Sequence, residues 1–167
     1  MKKRVNLNYL IIFTSLMFFV GGLNLSAQTT VTIGTGTTEA NPPAWLYYKY
    51  AWNQTIYDKS DIGNTGDITK VRFYWDGGAS DTRDITLYMA YTSKTSFSST
   101  TDWITVGGLT EVYSGTFSVT TTAGWCEITL DTPFPYDHTV NNLVVALHDD
   151  TGSYNGGFSD KFHSSTY

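Results

Sequence analysis

The chain has 167 residues, of which 15% are charged and 16% aromatic, and its formal net charge is −5. This length suits a single domain with a real hydrophobic core. The charged fraction is below the roughly 25% usual in soluble domains, as expected for a turn-rich, all-β extracellular protein. The negative charge argues against nucleic-acid binding, which requires a basic surface.

The first 27 residues have the pattern of an export signal. Lys2–Arg4 form a basic start, Tyr9–Val20 is almost wholly apolar, and Ala27 supplies a small residue for cleavage. This order predicts a secretory signal peptide that is removed after Ala27. The alternative is a permanent membrane anchor, but the apolar run is shorter than the ~20 residues that span a bilayer. The sequence therefore predicts a secreted or cell-surface protein.

The mature domain is predicted to comprise residues 28–167. It keeps seven basic and fifteen acidic side chains, a formal charge of −8. Cys126 is the only cysteine, so no internal disulfide can form. Its alternation with Ile128 and Leu130 predicts a buried small side chain rather than a reactive thiol.

Period-two alternation between turn residues predicts an antiparallel β-sandwich, jelly-roll-like in type. A short helical turn is expected near Lys59–Ile62, a bulge at Gly115, and a proline-containing loop over residues 131–140. The excursion over residues 92–108 is expected to be pinned to the body by apolar side chains. The predicted strands are Thr29–Ile33, Trp45–Tyr57, Ile68–Trp75, Arg83–Tyr91, Leu109–Val119, Trp125–Leu130, Asn142–His148 and Phe158–His163. The apolar side chains expected to hold the excursion are Phe97, Trp103 and Ile104.

The most apolar strand, Asn142–His148, is predicted to lie centrally in a sheet. Along Trp45–Tyr57, the alternation favours a core face made of Leu46, Tyr48, Tyr50, Trp52 and Ile56.

The opposite face of that long strand is the candidate ligand-binding surface. Its members are Trp45, Tyr47, Lys49, Asn53 and Tyr57. Aromatic faces stack on sugar rings because the negative face of the π system attracts polarised C–H groups. A flat aromatic and amide surface therefore suits a polysaccharide or a cell-surface glycan. The alternative is ordinary sheet packing, since aromatic residues are favoured in strands.

Calcium is the candidate cofactor, because aspartates cluster in two turns. The candidate ligands are Asp76 and Asp81 in one loop, and Asp149 and Asp150 in the other. Calcium takes six to eight oxygen ligands, often from such loops. The alternative is that these aspartates serve only as turn residues exposed to solvent.

Catalysis is not expected. The acids lie at strand ends and turns, and His138, His148 and His163 have no nucleophile motif or zinc spacing near them. We therefore assign no catalytic residue and expect a non-enzymatic protein.

Four segments resemble a module found in large exported proteins of the Bacteroidetes type. They are Tyr50–Ile62 (YAWNQTIYDKSDI), Gly66–Phe73 (GDITKVRF), Ser93–Gly115 (SKTSFSSTTDWITVGGLTEVYSG) and Asn142–Tyr154 (NLVVALHDDTGSY). The resemblance implies a β-sandwich near the N-terminus of a type IX secretion cargo. In that family, fibronectin type III, cleaved-adhesin or gingipain-like protease domains can follow. It also implies that this chain is a fragment, cut near the C-terminal end of its module.

Together these features predict a non-catalytic accessory module for adhesion or carbohydrate binding in a larger exported protein. Two alternatives remain open. One is a purely structural spacer. The other is an accessory or pro-region of a secreted protease whose catalytic domain lies beyond Tyr167.

Overall fold

The computed structural model describes residues 28–154 and 162–165. The chain divides into two units, residues 1–30 and residues 31–167, and the fold described below belongs to the second. The predicted signal peptide, residues 1–27, lies outside the described residues. So does most of the predicted last strand, Phe158–His163.

The described residues form eight strands, one short α-helix and one 3₁₀ turn. The strands are β1 (Thr38–Ala40), β2 (Ala51–Tyr57), β3 (Gly66–Trp75), β4 (Asp81–Thr92), β5 (Thr110–Val119), β6 (Gly124–Tyr136), β7 (Asn142–Asp149) and β8 (Phe162–Ser164). The helix α1 spans Lys59–Ile62, and the 3₁₀ turn spans Val106–Gly108.

The strands build two antiparallel four-stranded sheets, which confirms the predicted β-sandwich. One sheet has the order β1-β8-β3-β6, and the other has the order β2-β7-β4-β5. This alternation of strands between two sheets is the jelly-roll connection. We call the sheet that contains β1 the β1 sheet, and the sheet that contains β2 the β2 sheet.

The core lies between the sheets and takes side chains from both. β7 is buried along nearly its whole length between β2 and β4, as its apolar run predicts. Trp75, Leu87, Met89, Leu147 and Phe162 are among the most completely buried members of the core.

The helix α1 lies where the sequence places it. The Asp58 carboxylate accepts a hydrogen bond from Ser60 N at 2.8 Å and caps the first turn. Gly63 ends the helix in the left-handed conformation, with φ of 60°.

One predicted element is wrong and two are wrong in part. Residues 29–33 and 45–50 form no strand, so the predicted long strand begins only at Ala51. The predicted loop over residues 131–140 is strand as far as Tyr136, because Pro135 pairs with Asp67 at the edge of the β1 sheet. An edge strand tolerates proline, since one side of it needs no ladder hydrogen bond.

The inner face of β2 is also opposite to the prediction. Asn53 and Tyr57 lie opposite Leu147 and Leu143 of β7, which belong to the core. Because directly opposed residues share a face, the core face carries Asn53 and Tyr57 rather than their neighbours. The outer face carries Trp52, Gln54 and Ile56.

The predicted bulge in β5 is displaced. Gly115 pairs regularly with Ile85, and the register shifts instead between Leu87 and Tyr88. Gly115 has a different role, because a Cβ there would lie 2.8 Å from the hydroxyl of Tyr113. The Tyr113 ring occupies that space and its hydroxyl donates to Thr116 O at 2.7 Å.

Candidate functional site

Aromatic side chains concentrate in two segments beside the β2 sheet. Trp45, Tyr47, Tyr48 and Tyr50 lie between β1 and β2, and Tyr154 lies after β7. Tyr50 is 60% exposed and Tyr154 54%, while Tyr47 alone among the five is half-buried. We call these five residues the loop cluster. Large rings at such exposure are poorly placed for core packing and well placed for ligand contact.

Four rings of the loop cluster form a chain of nearly perpendicular contacts. Trp45 and Tyr48 meet at 77°, Tyr48 and Tyr47 at 88°, and Tyr47 and Tyr154 at 72°, with centroids 4.9–5.2 Å apart. Tyr154 donates a hydrogen bond to the Tyr47 hydroxyl at 2.6 Å, which raises the pKa of Tyr154. Successive rings are therefore not coplanar, and the cluster presents separate faces rather than one flat platform.

A buried ion pair lies beneath the loop cluster. Arg83 of β4 and Asp149 of β7 are both almost fully buried, and Arg83 Nε lies 2.8 Å from Asp149 Oδ2. Arg83 faces the core because it lies opposite Phe117 of β5. Burial of two charges is costly unless further hydrogen bonds satisfy them.

Those further hydrogen bonds anchor both segments of the cluster. The Arg83 guanidinium donates to the carbonyl of Tyr48 and, at 3.3 Å, to the carbonyl of Ser153. Gly152 N donates to Lys49 O at 2.9 Å and joins the segments directly. One buried side chain therefore contacts both segments and restricts their movement.

The other oxygen of Asp149 is also satisfied within the protein. Asp149 Oδ1 accepts from Thr151 N at 3.0 Å and from Thr151 Oγ1 at 2.6 Å. Asp81 Oδ2 lies 3.6 Å from Arg83 Nη1 and, among the described residues, has no hydrogen-bond partner. Arg83 therefore lies near two aspartates, Asp81 and Asp149.

The structure does not bring the four predicted calcium ligands together. Asp149 is paired with Arg83, while Asp76 lies 3.3 Å from Nε2 of His163. Asp150 is exposed and uses its backbone N–H to donate to Asp84 O. Within residues 28–154 and 162–165, no group of three or more histidine, cysteine or acidic side chains is arranged to hold a metal ion.

The predicted aromatic face is divided between two environments. Trp45 and Tyr47 belong to the loop cluster, and the exposed Lys49 lies between its rings in the chain. Asn53 and Tyr57 turn inward instead. Asn53 Nδ2 donates to Pro43 O at 3.1 Å, and Tyr57 packs against the core.

Sequence reasoning missed Tyr48, Tyr50, Tyr154 and Arg83. Adjacent tyrosines at positions 47 and 48 argue against a simple two-sided strand, which is a usable signal. Arg83 stands two residues before Ile85 and therefore shares its inward face. That position alone predicts a buried charge in need of a partner.

The predicted histidines and cysteine take structural positions. The ring of His148 packs on Trp52 with centroids 5.6 Å apart, and His138 Nδ1 lies 3.0 Å from Thr65 Oγ1. Cys126 is half-buried against the core, and burial raises the pKa of its thiol. A raised pKa disfavours the reactive thiolate.

Comparison of the chain with protein-family models, with curated proteins and with solved structures finds no match. In the described part of the chain, no helix has the length and apolar character needed to cross a lipid bilayer.

Proposed function

We propose that this chain is a non-catalytic, extracellular binding module that takes a soluble carbohydrate chain on its loop cluster. The observation that carries the proposal is the placement of five aromatic side chains, four of them exposed, on two segments anchored by Arg83. As part of the same proposal, residues 1–27 direct export, and the module serves a larger cell-surface or secreted protein of the type IX cargo class.

Carbohydrate is favoured because it matches the chemistry of these rings. A pyranose ring offers a face of C–H groups to the negative face of an aromatic ring, and its hydroxyls remain hydrated at the edges. The tyrosine hydroxyls of the cluster add donors and acceptors beside those faces. The negative net charge of the chain disfavours anionic ligands and suits neutral glycans.

The ring geometry narrows the class of glycan. A crystalline polysaccharide surface needs several coplanar rings, whereas contacting rings in the loop cluster meet at 72–88°. Separate faces at large angles suit a soluble chain, whose successive sugar units can turn. We therefore expect retention by soluble neutral polysaccharides and no retention by cellulose or crystalline chitin.

Affinity electrophoresis and calorimetry test this proposal on the full exported protein. The probes are soluble β-glucan, xylan and galactomannan, with crystalline cellulose as the insoluble comparison. Trp45→Ala is expected to weaken binding at least about tenfold, which corresponds to ~1.4 kcal/mol. Trp125→Ala is the matched control, because Trp125 is 55% exposed but lies in the β1 sheet.

Two outcomes would contradict the proposal. One is a wild-type protein that none of the soluble polysaccharides retains. The other is an equal loss of binding in Trp45→Ala and Trp125→Ala, which would move the site away from the loop cluster. Circular dichroism of each variant checks that the fold is unchanged.

A further inference from the structure

The serine- and threonine-rich excursion between β4 and β5 is held over the outer face of the β2 sheet. Gln54, on the outer face of β2, donates from Nε2 to Ile104 O at 2.7 Å and accepts at Oε1 from Ile104 N at 3.0 Å. Asn142 Nδ2 donates to Lys94 O at 3.0 Å. The backbone of Ile104 is thus held by a polar side chain. Attachment through the apolar side chains of Phe97, Trp103 and Ile104 stays a prediction.

The excursion is also fixed internally by one carboxylate. Asp102 Oδ1 accepts from Lys94 Nζ at 2.6 Å, and Asp102 Oδ2 accepts from the N and Oγ of Ser98, both at 2.9 Å. The hydrogen bond from Lys94 is the main reason that the pKa of Asp102 falls to about 2. The Asp102 carboxylate is therefore ionised at neutral pH. It ties Lys94 and Ser98 to residue 102 and so closes the segment of residues 94–102.

An open cleft of about 430 Å³ lies within this framework. Its volume is within the ~300–1,000 Å³ typical of small-ligand sites. Gln54 contributes to its wall from the sheet, and the excursion contributes the rest. The lining residues of the excursion are Phe97, Ser98, Ser99, Thr100, Asp102 and Trp103.

The rings of Phe97 and Trp103 lie too close together for a ligand ring to fit between them, so a ligand can stack on one side only. The centroids of Phe97 and Trp103 are 6.4 Å apart, and the ring planes meet at 40°. A ligand ring held between two parallel faces needs about 7–8 Å, twice the carbon–carbon contact distance. Trp103 is 44% exposed, while Phe97 is half-buried, so Trp103 offers the free face and Phe97 supports it.

We propose that this cleft is a second carbohydrate site, which binds one neutral sugar unit stacked on Trp103. The hydroxyls of the sugar reach the carboxylate of Asp102 and the hydroxyls of Ser99 and Thr100 at the rim. A uronic acid is disfavoured, because its carboxylate cannot donate a hydrogen bond to the Asp102 carboxylate as a sugar hydroxyl can. The site involves none of the residues of the loop cluster, so it does not depend on the function proposed above.

Titration followed by ¹⁵N NMR tests the site in the full exported protein. The probes are the methyl glycosides of glucose, mannose, galactose and N-acetylglucosamine, with the methyl glycoside of galacturonic acid, its carboxylate free, as the charged comparison. We expect at least one neutral glycoside to shift the indole N–H signal of Trp103 at millimolar concentration. Trp103→Ala should weaken that binding at least about tenfold, and Trp103→Phe should weaken it less.

The control variant is Val106→Ala, because Val106 is exposed in the same connection but does not line the cleft. Trp45→Ala should leave the Trp103 response unchanged, which separates failure at the loop cluster from failure at the cleft. The proposal is overturned if no neutral glycoside shifts the Trp103 signal, or if galacturonate binds equally well. It is also overturned if Val106→Ala loses as much affinity as Trp103→Ala.

Discussion

The guanidinium of Arg83 lies 2.8 Å from the carboxylate of Asp149, and at most 1% of either side chain is exposed. Their strands are neighbours in the β2 sheet, so a contact across one ladder brings the two charges together. Through the same guanidinium, the core of the sandwich is connected to the exposed aromatic segments on its end.

Arg83→Met is expected to destabilise the fold by about 3–5 kcal/mol, because it leaves the Asp149 carboxylate buried without its partner. The comparison is Arg72→Met, since Arg72 pairs with Glu127 at 2.6 Å on the exposed face of the β1 sheet. That exposed pair should contribute little to stability. Urea unfolding measures the stability of both variants. Similar decreases in the free energy of unfolding would show that burial does not make the Arg83 pair more important than the exposed pair.

Gly115→Ala is expected to destabilise the fold by about 1–3 kcal/mol, because the added Cβ displaces the Tyr113 ring. The displaced ring also loses its hydrogen bond to Thr116 O. In a Tyr113→Ala background, the same substitution should cost much less. A double-mutant cycle measures the coupling, and purely additive effects would exclude contact between the ring and position 115 as the cause.

Cys126 should react slowly with iodoacetamide, with a pH midpoint above the ordinary thiol value. Burial raises its pKa in the folded protein, so the folded state favours the protonated thiol. The contribution of this group to stability is complete below the ordinary thiol pKa of about 8.5. It is lost as the pH rises through the raised value.

The comparison for this titration is the same protein unfolded in urea, which should recover the ordinary thiol midpoint. Stability curves of the wild type and of Cys126→Ala, followed upward from a pH below the ordinary thiol pKa of about 8.5, give the second measurement. A midpoint that is the same in folded and unfolded protein would contradict the half-buried position of the thiol.

Gln54→Leu is expected to release the excursion, because both hydrogen bonds to Ile104 are lost while the side-chain volume is nearly kept. Hydrogen exchange should then accelerate at residues 97–104. The turn at residues 120–123, beside the β1 sheet, supplies the internal control and should exchange at an unchanged rate. Unchanged protection at residues 97–104 would show that other contacts hold the excursion.

The sequence predicted those elements whose conformation is set by residues close to them in the chain. Asp58 and Gly63 bracket α1, so its bounds are readable from a cap at each end. The apolar run of β7 likewise required a central position in a sheet. These elements need no information about distant partners.

The loop cluster could not be predicted in the same way, because its conformation depends on contacts far along the chain. The carbonyl of Tyr48 is bound by Arg83, 35 positions away, and Lys49 O is bound by Gly152 N. These contacts draw residues 45–50 out of the extended form that their alternation favours. Arg83 itself was predictable as an inward-facing charge, but its partner Asp149 lies 66 positions away.

The excursion shows a second limit of sequence reasoning. Its serines and threonines indicate a polar connection, and its aromatic residues suggest apolar attachment. The amide of Gln54, which reads as an ordinary polar residue on a strand, supplies two hydrogen bonds to this segment that the sequence does not indicate. Two distant amide side chains thus contribute to where the segment lies: Gln54 binds both backbone groups of Ile104, and Asn142 donates to Lys94 O.

The pairing of β1 with β8 has a mechanical consequence. Thr38 lies opposite Ser164, and within the described part of the chain three residue pairs join the two strands. A pulling force applied at these two positions would load the pairs one after another, as in a zipper, rather than all at once in shear. The ladder should therefore peel open at low force. Residues 45–50 of the loop cluster follow β1 in the chain, so once the ladder has opened, the load would pass to that segment and to the Arg83 side chain that holds it.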